Sequence, residues 1–360
     1  MSQIIHQSVN IANEAKSEDF MRYALQIAER GLGVCAPNPS VGCVIVKNGV
    51  VIAAEHTAPT GRPHAETQAI NNATESVEGA DVYVTLEPCS HHGVTAPCAE
   101  ALIRAGVRKV YIAQIDHDQR VAGRGAKMLA DAHIDVEVGV CYEEAQEINR
   151  GFFSRISRHR PFVTVKIATD CEGRYALAKN GAPQWVSGEF SRKFVHMLRA
   201  KSDAIITSSG TATADNPQLT CRLKGLEDDS PQRVLVDRNL TTPLHHELFK
   251  NPPLWVFSQK SSHENPLLGV KYFHNENPSL EWMLKELAHE GKNNVLVEAG
   301  PKFVAAMLEK GLVDELIWIK SPKKLGKKAP EFLSIDALQN FTQVGSRKLG
   351  EDEAVILRVR

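Results

Sequence analysis

The chain has 360 residues, of which 42% are hydrophobic and 24% charged, and a formal net charge of −1 at pH 7. That length suits about two domains, and the composition is that of a folded globular chain rather than a disordered or fibrous one. The near-neutral balance provides no overall basic track for nucleic acid. No stretch reaches the roughly 18 apolar residues of a membrane span.

Seven cysteines, Cys35, Cys43, Cys89, Cys98, Cys141, Cys171 and Cys221, are odd in number and scattered, unlike a disulfide framework. Residues 1–14 lack the basic and then apolar regions of a signal peptide. A reducing, cytoplasmic setting is therefore expected.

Residues 1–16 read as a loosely held leader. Ser17-Glu18-Asp19 opens a helix carrying Phe20, Met21, Ala24, Leu25, Ile27 and Ala28 at helical spacing, ended by Gly31-Leu32-Gly33. Pro37-Asn38-Pro39-Ser40-Val41-Gly42 leads into a strand at Cys43–Val46, and Val50–Ala54 pairs as the next. The Asn38 amide can both donate and accept. The residues alone leave it open between an Asn-Pro turn and a contact to a pyrimidine edge.

Pro63 opens a helix whose first turns carry His64, Ala65, Glu66 and Gln68. Ala80–Leu86 is a buried strand delivering Glu87-Pro88-Cys89, and Ala96-Pro97 opens a helix from Cys98 through Ala105. His64, Cys89 and Cys98 are the donors of a three-ligand zinc site that keeps a fourth position for water. Glu66 stands where it can move protons without ligating the metal. Zinc-dependent nucleobase deaminases spell this set H-x-E…P-C-x-x-C. Here the second Cys is displaced, so residues 90–97 must bulge out and return. The alternative, one buried His and two core Cys, needs three ligands and an acid to meet at this spacing by coincidence.

The run Thr85-Leu86-Glu87-Pro88-Cys89-Ser90-His91-His92-Gly93, with Thr95 and Cys98, resembles the bifunctional deaminase–reductase of riboflavin biosynthesis more closely than tRNA, cytidine or guanine deaminases. The resemblance implies a cytidine-deaminase-like α/β/α sandwich over residues 17–158, with Zn2+ on His64, Cys89 and Cys98. It makes Glu66 the proton carrier and assigns Asn38 to the substrate ring. Zinc brings its bound water toward ionisation at neutral pH; attack on the amine-bearing ring carbon then releases ammonia. A strand at Arg108–Gln114, a helix at Gly125–Ala132, a strand at Ile134–Val140 and a helix at Glu143–Ile156 complete this half.

Arg158-His159-Arg160-Pro161 reads as the junction, and Phe162–Ala168 starts a new pattern. The resemblance continues through Lys166-Ile167-Ala168, Gly173-Arg174, Trp185-Val186-Ser187-Gly188, the Leu198–Ile205 run, Gly210-Thr211, Asp215–Arg222, Val236-Asp237, Val297–Pro301 and Val313–Leu316. It implies a dihydrofolate-reductase-like α/β domain over residues 159–360 that uses NADPH. By position, Ala168, Trp185, Thr211, Asp215 and the turn Gly300-Pro301-Lys302 would contact NADPH. Arg199, Leu219, Arg222 and Glu298 would contact the ribose phosphate, and guanidinium forks suit a phosphate. From residues alone, Ala299-Gly300-Pro301 is a turn between a strand at Asn294–Glu298 and a helix at Lys302–Lys310, whose first N–H groups could bind phosphate. The G-x-G-x-x-G fingerprint is absent. The proton of the reductase step is left open between water and Asp215. Arg238 stands open between a contact to the NADPH 2′-phosphate and a surface ion pair. Asn340–Val344 and Glu353–Val359 read as closing strands.

Several positions depart from the family pattern: Thr57 in place of a His, Val94 in place of a cation, Asp118 within Asp116–Gln119, Asp170 in place of a Ser, and Pro183 in place of another Ser. The expected activity is deamination of 2,5-diamino-6-ribosylamino-4(3H)-pyrimidinone 5′-phosphate followed by NADPH-dependent reduction of its ribosyl chain. The alternative is a divergent paralogue acting on a related pyrimidine. A dead scaffold is opposed by the intact His64, Glu66, Cys89 and Cys98. A nucleic-acid deaminase is opposed by the charge and the appended second half. The family assembles through its reductase domain, so the resemblance implies a homo-oligomer, a dimer or tetramer.

Overall fold

The computed structural model of the chain describes residues 17–92, 96–116, 122–176, 185–250, 253–263, 267–332 and 335–360. The leader 1–16 and three of the departures, Val94, Asp118 and Pro183, lie outside the described residues. The chain divides into two compact units with the boundary between Ser157 and Arg158. No helix among the described residues is long and apolar enough to cross a membrane, and all seven cysteines are free thiols.

The first unit is built on a five-stranded sheet of order β2-β1-β3-β4-β5. Its strands are β1 (Gly42–Lys47), β2 (Val50–His56), β3 (Asp81–Val84), β4 (Lys109–Ile112) and β5 (Asp135–Val138). β1 runs antiparallel to β2 and β3, whereas β3, β4 and β5 are mutually parallel. Asn48 and Gly49, both with positive φ, turn β1 directly into β2. Side chains alternate along each strand. Cys43, Ile45, Val82, Val84, Val110 and Ile112 enter one core, and Val44, Val46, Tyr83 and Tyr111 enter the other. The first core is closed by α2 (Ala65–Asn72), α3 (Cys98–Arg104) and α4 (Arg124–Asp131) through Ala65, Ala69, Ala99, Leu102 and Leu129. The second is closed by α1 (17–28) through Met21, Ala24 and Leu25, and by Ala145 of α5 (Tyr142–Arg158). Helices on both faces of one sheet make the α/β/α sandwich. The chain leaves β2 and β3 toward α2 and α3, which is how His64, Cys89 and Cys98 come together.

The second unit has a nine-stranded sheet of order β10-β9-β8-β7-β11-β6-β12-β14-β13. The strands are β6 (Phe162–Thr169), β7 (Ala204–Ser208), β8 (Gln232–Val236), β9 (Leu254–Ser258), β10 (Val270–His274), β11 (Asn294–Val297), β12 (Glu315–Lys320), β13 (Phe341–Leu349) and β14 (Asp352–Val359). All neighbours from β10 to β12 are parallel, and the closing β12–β14–β13 ladder is antiparallel. The helices are α6 (Glu189–Ala200), α7 (Ser209–Asp215), α8 (Glu247–Lys250), α9 (Leu280–His289) and α10 (Pro301–Glu309). Val163, Val165, Ile167, Val295 and Val297 pack with α9 and α10 on one face, whereas Ile205 and Leu296 face a core that includes Leu198 of α6. β11 enters between β7 and β6, so the carboxyl ends of three adjacent parallel strands lie side by side. That is where open α/β sheets bind ligands. β13 continues to Leu349, five residues past the expected Val344, because its outer part is a mostly exposed ribbon paired with β14. Gly345-Ser346-Arg347-Lys348 has no apolar alternation to announce a strand.

Candidate active sites

The metal site begins with local geometry. His64 is the N-cap of α2 in extended backbone, and Glu66 lies in the first turn, where a carboxylate is favoured by the helix dipole. Cys98 is the first residue of α3, after Pro97 at the N-cap. The first donors of α3 turn toward Cys89: the Cys98 N–H donates to Cys89 Sγ at 3.3 Å and the Ala99 N–H to the Cys89 carbonyl at 3.2 Å. His64 Nδ1 lies 3.6 Å from Cys89 Sγ and 3.4 Å from Cys98 Sγ. Nitrogen and sulfur ligands of tetrahedral zinc lie about 3.5 Å apart, given Zn–N and Zn–S distances of about 2.0 and 2.3 Å. The two His64 distances match that spacing, and the three donor atoms, all within 4.8 Å of one another, form a group able to hold a metal ion among the described residues.

Their proton chemistry agrees. The hydrogen bond from the Cys98 thiol, with help from His64 and against burial, pulls the Cys89 thiol down to about 4. The same contact from the other side, together with burial, pushes the Cys98 thiol up. One thiolate forms readily and the second needs a cation beside it, which a zinc ion provides. Glu66 is 3% exposed. Burial pushes its carboxyl up to about 7, with His64 opposing. A carboxyl that can both hold and release a proton near neutral pH is what proton shuttling requires.

Asn38 is held rather than loose. Its Nδ2 donates to the Gly61 carbonyl at 2.7 Å. The backbone around it is fastened from outside. Arg155 donates to the Pro37 carbonyl at 2.7 Å, and Asn149 pairs with both the N–H and the carbonyl of Ser40, at 2.9 and 3.1 Å. The Thr57 hydroxyl donates to the Pro39 carbonyl at 3.1 Å and accepts from the Val41 N–H at 3.0 Å. Thr57, a departure from the family pattern, therefore holds the Asn38 segment. Asn149 carries no motif, and its role is visible only once α5 lies beside residues 37–41.

In the second unit Arg199, Lys166 and Glu298 form one cluster. Arg199 Nε and Nη2 donate to Glu298 Oε1 and Oε2 at 2.7 and 3.1 Å, and Nη1 to the Thr220 carbonyl at 3.0 Å. Lys166 Nζ lies 3.2 Å from Glu298 Oε2. The Nε/Nη2 edge of Arg199 is thus engaged by Glu298 in this structure. Leu219, also expected to contact the ribose phosphate, is 3% exposed with its side chain in a hydrophobic core, which leaves its backbone as the part able to meet a ligand. Arg222 is exposed, with Nη1 near Gln218 Oε1 and Thr220 Oγ1. Its N–H donates to His196 Nδ1 at 3.1 Å. Burial, then Arg199 and Arg222, pull His196 down to about 4, so the ring is neutral at pH 7. Neither Lys166 nor His196 was assigned a role from the sequence. The available signal for Lys166 was a single cation inside an apolar strand.

Of the residues named for the cofactor, Ala168, Thr211 and the Gly300-Pro301-Lys302 turn sit at or just after strand ends. Ala168 is near the end of β6, and Thr211 lies in α7 directly after β7. Gly300, Pro301 and Lys302 follow β11. The Gly300 N–H donates to Thr211 Oγ1 at 2.8 Å, tying the two turns together. Trp185 is 60% exposed with Arg192 over its ring. Burial pushes the Asp215 carboxyl up, with Lys166 opposing. Arg238 is bonded to Gln259 at 3.0 Å. Asp170, another departure, accepts from the N–H groups of Glu172, Arg174 and Leu325, each at 2.9 Å. Its carboxylate closes a turn.

Fold and sites define a zinc-dependent deaminase joined to a dihydrofolate-reductase-like reductase. Residues 14–114 match the cytidine and deoxycytidylate deaminase zinc-binding region, and residues 161–355 match the RibD C-terminal domain. The chain belongs to the RibD family of riboflavin biosynthesis proteins, bifunctional enzymes with a hydrolase and an oxidoreductase activity. The Riboflavin biosynthesis protein RibD of Escherichia coli strain K12 is 38% identical over 354 residues, covering 93% of this chain and 96% of that protein. The RibD structure of Acinetobacter baumannii (form 1) is 35% identical, with a TM-score of 0.85 over 96% of this chain and 99% of that one. The diaminohydroxyphosphoribosylaminopyrimidine deaminase/5-amino-6-(5-phosphoribosylamino)uracil reductase of Thermotoga maritima is 32% identical, with a TM-score of 0.87 over 97% and 100%.

Proposed function

We propose that the first unit deaminates 2,5-diamino-6-ribosylamino-4(3H)-pyrimidinone 5′-phosphate. The second then reduces the ribosyl chain with NADPH to give 5-amino-6-ribitylaminouracil 5′-phosphate. The observation that carries the first step is the 3.4 and 3.6 Å spacing of His64 Nδ1 from the two cysteine sulfurs beside a buried Glu66. The Thermotoga maritima relative carries both activities in its name.

His64, Cys89 and Cys98 would hold zinc, which when bound supplies a water activated near neutral pH. Glu66, buried beside the three ligands, would carry two protons in turn on its carboxylate, the first to the ring nitrogen and the second to the departing amine. Asn38, immobilised through Gly61, meets the pyrimidine edge. In the second unit Ala168, Trp185, Thr211, Asp215 and the Gly300-Pro301-Lys302 turn would contact NADPH, which supplies the hydride. Arg222 binds the substrate phosphate, and the Leu219 backbone lines the same loop. Arg199 and Lys166 hold Glu298 ionised and fixed, so that it can accept a ribose hydroxyl. Asp215, a carboxyl raised by burial, is a proton source for the ring oxygen; water is the other.

The test is a two-part turnover on zinc-replete protein: ammonia release from the diaminopyrimidine ribosyl phosphate, then NADPH oxidation in the same tube. Both signals are expected. Neither signal, with zinc bound, would overturn the substrate assignment and favour a related pyrimidine, to be found by screening.

A further inference from the structure

Glu87 sits two residues before the zinc ligand Cys89 and is 6% exposed. A buried carboxylate must be paired or hydrogen-bonded to stay ionised at acceptable cost. Among the described residues this one is satisfied entirely by backbone. Oε1 accepts from the N–H groups of Gly125 and Ala126 at 2.7 and 3.1 Å. Oε2 accepts from those of Gly123 and Asp116 at 2.9 and 3.2 Å. The Glu87 N–H in turn donates to the Gln114 carbonyl at 2.8 Å.

Three of those donors belong to the start of α4, whose first-turn N–H groups lack intrahelical partners. The N-cap residue is Gly123, left-handed and without a side chain to cap them. A Ser, Asp or Asn at the N-cap would do so locally. Here the cap comes from residue 87. The contact is also sterically closed: a Cβ on Gly125 would lie 2.0 Å from the Pro88 carbonyl oxygen. Pro88 is thus trapped between the anchored Glu87 carboxylate and the backbone of α4, and Cys89 is the next residue.

We propose that Glu87 is a positioning residue for the metal centre: by clamping the Glu87-Pro88 segment onto α4 and Asp116, it holds the Cys89 sulfur where His64 and Cys98 can share a zinc ion with it. The inference rests on those three residues holding zinc. Groups behind a metal ligand, acting through it, typically change metal affinity about 10–100-fold when altered.

The experiment uses full-length, zinc-loaded protein and follows zinc release to a chromogenic chelator below the unfolding temperature. Glu87→Gln keeps the shape but turns an NH2 group toward two backbone N–H donors. We expect zinc release about 10–100-fold faster and an altered ligand-field spectrum of the cobalt-substituted protein. Reductase turnover should be unchanged. Glu87→Asp keeps both oxygens on a shorter arm and should fall between the two; it decides the matter if Glu87→Gln does not retain a folded first unit. A lower unfolding temperature with zinc release and the cobalt spectrum unchanged would overturn the inference, because Glu87 would then only cap α4. Failure of the unaltered protein to hold one zinc would instead overturn the ligand assignment itself, and the inference with it.

Discussion

Arg199 and Glu298 meet edge to edge, with Nε and Nη2 on the two carboxylate oxygens at 2.7 and 3.1 Å, and Lys166 closes the same carboxylate from 3.2 Å. Burial alone would push the Glu298 carboxyl up. Arg199 and Lys166 outweigh it and hold it at about 2, below its ordinary 4.5. A depressed carboxylate contributes stability above its unfolded pKa and loses it as pH falls through the folded one. A difference of this size corresponds to ~3 kcal/mol. All four tryptophans, Trp185, Trp255, Trp282 and Trp318, lie in the second unit, so their fluorescence reports that unit alone. Urea midpoints followed this way should fall between about pH 4.5 and pH 2, and the fall should be shallower in Glu298→Gln. At pH 7 that variant should lose about 3–5 kcal/mol, because it leaves two cations without their counter-charge. Parallel pH curves for the two proteins would remove Glu298 as the titrating group.

Glu66→Gln should abolish measurable deamination, a loss of about 100–10,000-fold, while the protein keeps one zinc and full reductase turnover. Retained ammonia release would remove Glu66 from the proton path.

Arg222→Ala removes a charge-assisted contact to phosphate that typically contributes about 1.5–3 kcal/mol. Steady-state kinetics should show the reductase KM for the ribosyl phosphate raised by about 10–100-fold, with ammonia release unaltered. Loss of both activities together would mean that the two sites are not separate.

Asn149→Ala leaves the buried N–H and carbonyl of Ser40 without the partner they share at 2.9 and 3.1 Å. The expected cost is about 1–3 kcal/mol for the first unit. The deaminase KM should rise because the Asn38 segment loosens. Asn149→Asp, which keeps the acceptor but not the donor, should lie between. An unchanged KM with a lowered unfolding temperature would confine Asn149 to a structural role.

Much of the chemistry was legible in the residues themselves. A His, an acid two places on and two cysteines preceded by Pro are local spellings, and the elements that carry them follow from apolar periodicity and from Pro, Gly and Asn at the turns. The α/β alternation of the first half was readable for the same reason; in the second half the residues marked only the strands at 162–168 and 294–298, the helix at 302–310 and the closing strands, and the α/β class of that half came from the family resemblance. What the residues could not state was pairing at long range. That the Arg199 fork belongs to Glu298, 99 positions away, depends on β11 entering the sheet between β7 and β6. That Asn149 fastens Ser40 depends on α5 returning over the first sheet. Glu87 was visible only as a neighbour of Cys89, because its four donors come from backbone groups that are the same in every residue. Thr57 and Asp170 looked like losses of ligand groups, yet in the fold their oxygens hold loops in place. Local propensity and motif spacing are properties of neighbouring residues and can be read along the chain. Which buried charge or amide satisfies which partner depends on distance in three dimensions, and only the tertiary structure decides it.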